Sequence, residues 1–230
     1  MPNPRLIKMA KRQMNPEPLV VEEEREKIVE TEPENLPPIQ DFIYIPSTKL
    51  YVARKKTLQD KSWYEAHEIL QGQGSRMQTL PEFIEFLKYV NRNHPDIYHE
   101  IVNRPGKMEW IDAYFEQRKD GMYVLTYNRT NAEKLDANTL VDNNRKVLEK
   151  ISLDTWLKNP TGQGLPRKNV AKTGRSLVYF YPRNGFVVDF DTFCGILTLH
   201  CTAFPYNEDS SSGVHAVKQY KQDSTGGNRK

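Results

Sequence analysis

Cysteine is almost absent from this chain: Cys194 and Cys201 are the only two among 230 residues. Two cysteines cannot build a disulfide framework for a domain of this size, although one bridge across a hairpin stays open to them. Long apolar runs are missing as well. None reaches the length that spans a bilayer, so no membrane span is expected. Net charge is scarce: 33 basic against 30 acidic residues leave +3, a near-balance with no electrostatic footprint for nucleic acid. No CxxC, HExxH or Cys/His cluster stands at metal-ligand spacing. The two GQG triplets, at 72–74 and 162–164, lack the Lys-Ser/Thr that follows in a phosphate loop. No cofactor is therefore expected. The five histidines are scattered singly, whereas a catalytic reading needs convergent partners.

What the chain does contain is unevenly spread. Apolar residues make up 37%, which is low for a globular protein, and the deficit lies mostly at the two ends. Residues 1–40 carry repeated proline and the acidic block Glu22 to Glu24, and read as a disordered or assembly arm with room for a short helix over Leu19 to Val29. Residues 219–230 read as a flexible polar tail. The basic start MPNPRLIKMAKRQ lacks the apolar core of a secretory signal.

Between these ends, residues 41–218 have the patterning of one folded domain. Phe42 to Ile45 and Leu50 to Ala53 read as a hairpin. Lys61 to Leu70 places Trp63, Ala66 and Leu70 on one helical face, with Gly72 and Gly74 as the stop. Thr79-Leu80-Pro81-Glu82 is a capping box with proline in the first turn, and Phe83, Phe86, Leu87 and Val90 follow as a buried stripe. Asp96 to Val102 reads as a third short helix. Glu109 to Phe115 and Met122 to Tyr127 read as strands joined at Asp120-Gly121. Residues 128–150 read as polar loop with one helical turn, and Ile151 to Leu157 as a short helix or helical turn. Asn159 to Val170 is Pro/Gly-rich irregular chain, of the kind that carries function or caps a site. Ser176 to Tyr181 opens a last group of strands. Short helices followed by strands make an α+β domain.

The stretch Phe186 to Lys218 holds both cysteines and a dense set of β-branched and aromatic residues. From Phe186 to Ser211 it has no Lys, Arg, Gln, Met or Trp, and Glu208 is its only Glu. Buried core strands would also lack charge. Strand side chains alternate between faces, so Phe190 and Thr192 point one way, and Asp191 and Phe193 the other. After a turn near Cys194-Gly195, Leu197, Leu199 and Cys201 share one face, and Ile196, Thr198, His200 and Thr202 the opposite one. A hairpin requires this switch of parity.

Leu80-Pro81-Glu82 opening an amphipathic helix, the closing GVHAVK at Gly213 to Lys218 and the alternation over Phe190 to Pro205 together resemble the variable proteins of diversity-generating retroelements. The resemblance implies a C-type lectin fold of the formylglycine-generating-enzyme-like subclass, two short helices packed on small antiparallel sheets. It implies a variable region at about 189–207. Phe190, Thr192, Leu197, Leu199, Cys201 and Pro205 match scaffold positions. Asp191, Phe193, Gly195, Ile196, Thr198, His200, Thr202, Ala203, Phe204, Tyr206 and Asn207 match diversified, ligand-binding ones. Diversification in that family acts on adenines of Asn-type codons, which cannot yield Lys, Glu, Gln, Met or Trp, and all eleven positions obey that restriction.

The function so implied is non-enzymatic binding of a protein or cell-surface target. The resemblance does not explain the arm, which reads either as a disordered tail or as a tether joining copies of the chain or a larger particle. A cytoplasmic or virion-associated location fits better than classical secretion. The alternative is a formylglycine-generating-enzyme-like oxidase holding copper on Cys194 and Cys201, since soft thiolates select Cu(I). A calcium-dependent sugar lectin would need a Glu-Pro-Asn or Gln-Pro-Asp loop and a Trp-Asn-Asp run. The first has only Glu32-Pro33-Glu34-Asn35 in the arm to offer, and the second is absent.

Overall fold

A computed structural model describes residues 40–141, 146–193 and 195–219 of the chain, with the backbone alone at Phe193. The arm with its expected helix over Leu19 to Val29, the tail from 220 and Cys194 lie outside the described residues.

Two capped helices set the frame. In α1 (Trp63–Gly72) the Ser62 hydroxyl accepts the Glu65 N–H, and the Glu65 carboxylate accepts the Ser62 N–H at 3.0 Å. Two orphan donors of the first turn are thereby satisfied. In α2 (Leu80–Asn93) Glu82 likewise takes the Thr79 N–H, at 2.8 Å. Arg76 grips the same carboxylate with two hydrogen bonds of 2.7 Å, which ties the preceding loop to the helix start. Phe83, Phe86, Leu87 and Val90 are all buried, as their spacing predicts. Two shorter helices follow, α3 (Pro95–Asn103) and α4 (Leu153–Lys158).

The ten strands among the described residues are β1 (Phe42–Ile45), β2 (Leu50–Ala53), β3 (Glu109–Arg118), β4 (Gly121–Thr126), β5 (Asn131–Lys134), β6 (Leu148–Ser152), β7 (Ser176–Phe180), β8 (Val187–Phe193), β9 (Ile196–Ala203) and β10 (Val217–Gln219). They form an antiparallel sheet β1-β2-β10 and a seven-stranded sheet β5-β4-β3-β8-β9-β7-β6, in which only β7 and β9 run parallel. The domain is α+β, with two sheets, a few short helices and much loop. Strands β5 and β6 correct the reading of 128–150 as loop. Both lie at sheet edges, where a strand needs no apolar face, so Asn131–Lys134 is polar and largely exposed and carries no period-two signal.

Alternation along β3 separates two cores. Ile111, Ala113 and Phe115 pack with α2, α3 and the main cluster, while Met108 and Trp110 join Trp63, Ala66 and Leu70 of α1. The irregular 159–170 segment is held over the start of α2. Trp156 Nε1 donates to Gly164 O at 2.8 Å, and a Cβ on Gly164 would stand 2.8 Å from Leu80 Cγ and 2.9 Å from Pro81 N. With φ at +83° as well, Gly164→Ala should destabilise the fold by more than about 1 kcal/mol, read as a lower urea midpoint.

Candidate binding surface

The parity argument for the C-terminal strands holds in the fold. β8 and β9 form an antiparallel hairpin with Phe190 opposite Leu199, Asp191 opposite Thr198 and Thr192 opposite Leu197. Gly195 at its tip has φ +76°, a conformation glycine adopts without Cβ strain. Phe190, Thr192, Leu197, Leu199, Cys201 and Pro205, expected as scaffold, are all buried. The Phe190 ring lies 5.1 Å from Phe83 of α2 and 6.2 Å from Trp156 of α4. Thr192 Oγ1 donates to Val102 O at 3.4 Å.

The eleven positions expected on the displayed side divide into groups. Gly195 and Ile196 are exposed at the hairpin tip. Asp191, His200 and Thr202 are half-buried on the open face of the sheet, and Phe204, Tyr206 and Asn207 are exposed beyond β9. Phe204 and Tyr206 are 67% and 75% exposed, the most open large apolar side chains among the described residues. The Phe193 side chain lies outside the described residues.

Two of the eleven are not displayed. Thr198 is buried because its short side chain sits mid-row between Asp191 on β8 and Val178 on β7, and its hydroxyl donates to Asp191 O at 3.3 Å. Ala203 is buried because the register shifts between Val187 and Asp189. That shift pairs Ala203 with Val187 and turns it into the α1 core beside Trp63 and Val214.

One cross-strand row runs Trp110, Asp189, His200, Phe180, Leu148, each directly opposite the next. Exposure rises along it, from Trp110 at 1% to Leu148 at 41%. The His200 ring stacks on Phe180 at 4.2 Å and 19°, and burial lowers its pKa. Next to it, Asp189 is buried and its Oδ1 has no hydrogen-bond partner among the described residues. Burial, reinforced by Asp191 and Asp209, raises its pKa well above the usual carboxylate range, and Asp191 is raised in the same sense. Lys56 closes the acidic side, donating to the carbonyls of Met108 and Ser211 at 2.7 Å each. Cys201 is fully buried, and burial raises its thiol pKa.

Residues outside the expected set complete the surface. Phe204 rests on Phe186 with ring centroids 4.9 Å apart, and Tyr206 on Tyr64 at 5.0 Å. Tyr64 stands against Trp63 at 5.2 Å, Tyr114 lies 6.4 Å from Trp63, and the Arg129 guanidinium covers the Tyr114 ring at 4.3 Å. A signal for Tyr64 existed, since it falls off the Trp63–Ala66–Leu70 stripe. Tyr114 and Arg129 had none, because only the tertiary fold brings β3 and the β4–β5 turn beside α1. Among the described residues, these supported aromatic rings and the Arg129 guanidinium form one cluster.

Truncation separates the two sides of the hairpin. Phe204→Ala and Tyr206→Ala should each lose no more than a ring-pair contact, about 0.5–1.5 kcal/mol. Phe190→Ala should lose about 3–5 kcal/mol by urea unfolding. The pH response follows from Asp189. A proton held by the fold but released on unfolding makes stability fall as pH rises past the ordinary value of 3.8 and on through the raised folded pKa. Asp189→Asn should flatten that slope, seen as a urea midpoint that declines less from about pH 4 to about pH 8.

Compared with known protein-family models, curated proteins and solved structures, the chain matches none of them.

Proposed function

We propose that this chain is a non-enzymatic binding protein that presents a diversifiable surface on a C-type lectin scaffold, for recognition of a protein or cell-surface target. One observation carries the reading. Along the hairpin and the few residues that follow it, the six positions assigned to scaffold are buried, while the positions assigned to display include Ile196, Phe204 and Tyr206, at 54%, 67% and 75% exposure. Exposed aromatic rings among small polar residues are the chemistry of adaptable paratopes, where Tyr and Phe supply contact area at low entropy cost. Of the Gly213 to Lys218 segment that the resemblance reads as a closing strand, Val217 and Lys218 belong to β10, which pairs with β2.

Cys201 weighs against the copper-oxidase alternative. A copper ligand must be a reachable thiolate, and this thiol is enclosed in the main core with burial favouring its protonated form. Its packing beside Leu199 is sufficient reason for a small apolar residue there.

The diversification mechanism has a direct genetic test. Sequencing the locus should reveal a near-copy of the coding segment for residues 189–207 beside a reverse transcriptase gene, differing mainly at adenines. A locus with neither the near-copy nor the reverse transcriptase would contradict diversification of this chain.

A further inference from the structure

Tyr127, Asn128 and Arg129 join β4 to β5 with φ of +52°, +53° and +67°. A left-handed residue other than glycine is strained by about 1–3 kcal/mol and persists only where its surroundings over-determine it. Here they do. Asp112, fully buried on β3, accepts the Tyr127 N–H on Oδ2 at 2.6 Å, while its Oδ1 lies 3.3 Å from His67 Nε2 of α1. Arg76, fixed by Glu82, stacks over the Tyr127 ring at 5.0 Å. Thr130 Oγ1 donates back to Tyr127 O at 2.7 Å. The strained turn sets Arg129 on the Tyr114 ring, close enough for its charge to act on Tyr64. Among the described residues Arg129 has no carboxylate partner.

We propose that Arg129, seated on Tyr114 beside Tyr64, is a constant anchor of the binding surface, and that its partner is a protein segment presenting an Asp or Glu carboxylate next to an apolar side chain. The inference rests on the binding function proposed above and names the chemistry of what is bound. A guanidinium stacked on a ring uses its face and keeps its N–H edge for the planar fork of a carboxylate, which a lysine cannot match. The exposed Phe204 and Tyr206 rings receive the apolar neighbour, and aromatic and Arg anchors dominate such interfaces. Arg129, Tyr114 and Tyr64 lie outside residues 189–207, so diversification leaves the carboxylate requirement intact. Asp112 acts through the turn as a positioning residue.

The test uses the full chain and a phage-displayed random peptide library as probe. Selected peptides should be enriched in Asp or Glu beside Phe, Tyr or Leu. Arg129→Gln should weaken them about tenfold or more, Arg129→Lys should restore only part of that, and the distant Lys158→Gln should change nothing. Replacing the peptide carboxylate by its amide should cost the same factor on the parent chain and nothing further on Arg129→Gln, a cycle that separates contact from folding defects. Peptides without acidic enrichment, additive losses in the cycle, or binding only to sialylated or sulfated glycans on an array would overturn the assignment. Peptides that need Phe204 and Tyr206 but ignore Arg129→Gln would overturn this inference alone. Peptides indifferent to all three positions would overturn the binding surface as well.

Discussion

The Phe190 ring, held between Phe83 of α2 and Trp156 of α4, fixes which way the β8–β9 hairpin faces. A strand has a side-chain period of two, so anchoring Phe190, Leu197 and Leu199 in the main core leaves Asp191 and His200 no choice of side. A slip of one residue would bury those polar groups and expose the apolar ones. The display therefore depends on the packing beneath it, and β3 and β7 on either side hold that register.

The open face is not uniform. Near β3 it is covered by α1 and the chain from Ser212 to Ala216, whereas toward β6 it opens, and Asp189 stands where the two regimes meet. A carboxyl there is too enclosed to ionise at its ordinary value, and the neighbouring acids add to the same effect. The aromatic cluster around Tyr64 and Tyr206 draws support from another source. Its rings rest on α1 and on a β4–β5 turn that the buried Asp112 holds in a left-handed conformation.

Much of this was legible in the sequence where local chemistry decides the outcome. The Thr79–Glu82 box and the stripe from Phe83 to Val90 specified α2 because capping and helical period act within a few residues. Alternation specified the two sides of the hairpin for the same reason. The failures are long-range. Thr198 obeys parity but is covered by neighbours on β7 and β8, and Ala203 is turned inward by a register shift that leaves no mark in composition. Strands β5 and β6 escaped notice because an edge strand needs no apolar face. Arg129 and Tyr114, far apart along the chain from Tyr206, become neighbours of its cluster only through the fold.

The central claim is that one side of the hairpin can change freely while the other cannot. Its most direct measurement is protease resistance of two displayed libraries of the full chain. One library randomises Ile196, His200, Thr202, Phe204, Tyr206 and Asn207, and the other randomises Phe190, Leu197, Leu199 and Cys201. The account predicts that most members of the first remain as resistant as the parent, while few members of the second do. Equal loss of resistance in both would contradict a displayed surface and place Phe204 and Tyr206 within the structural core.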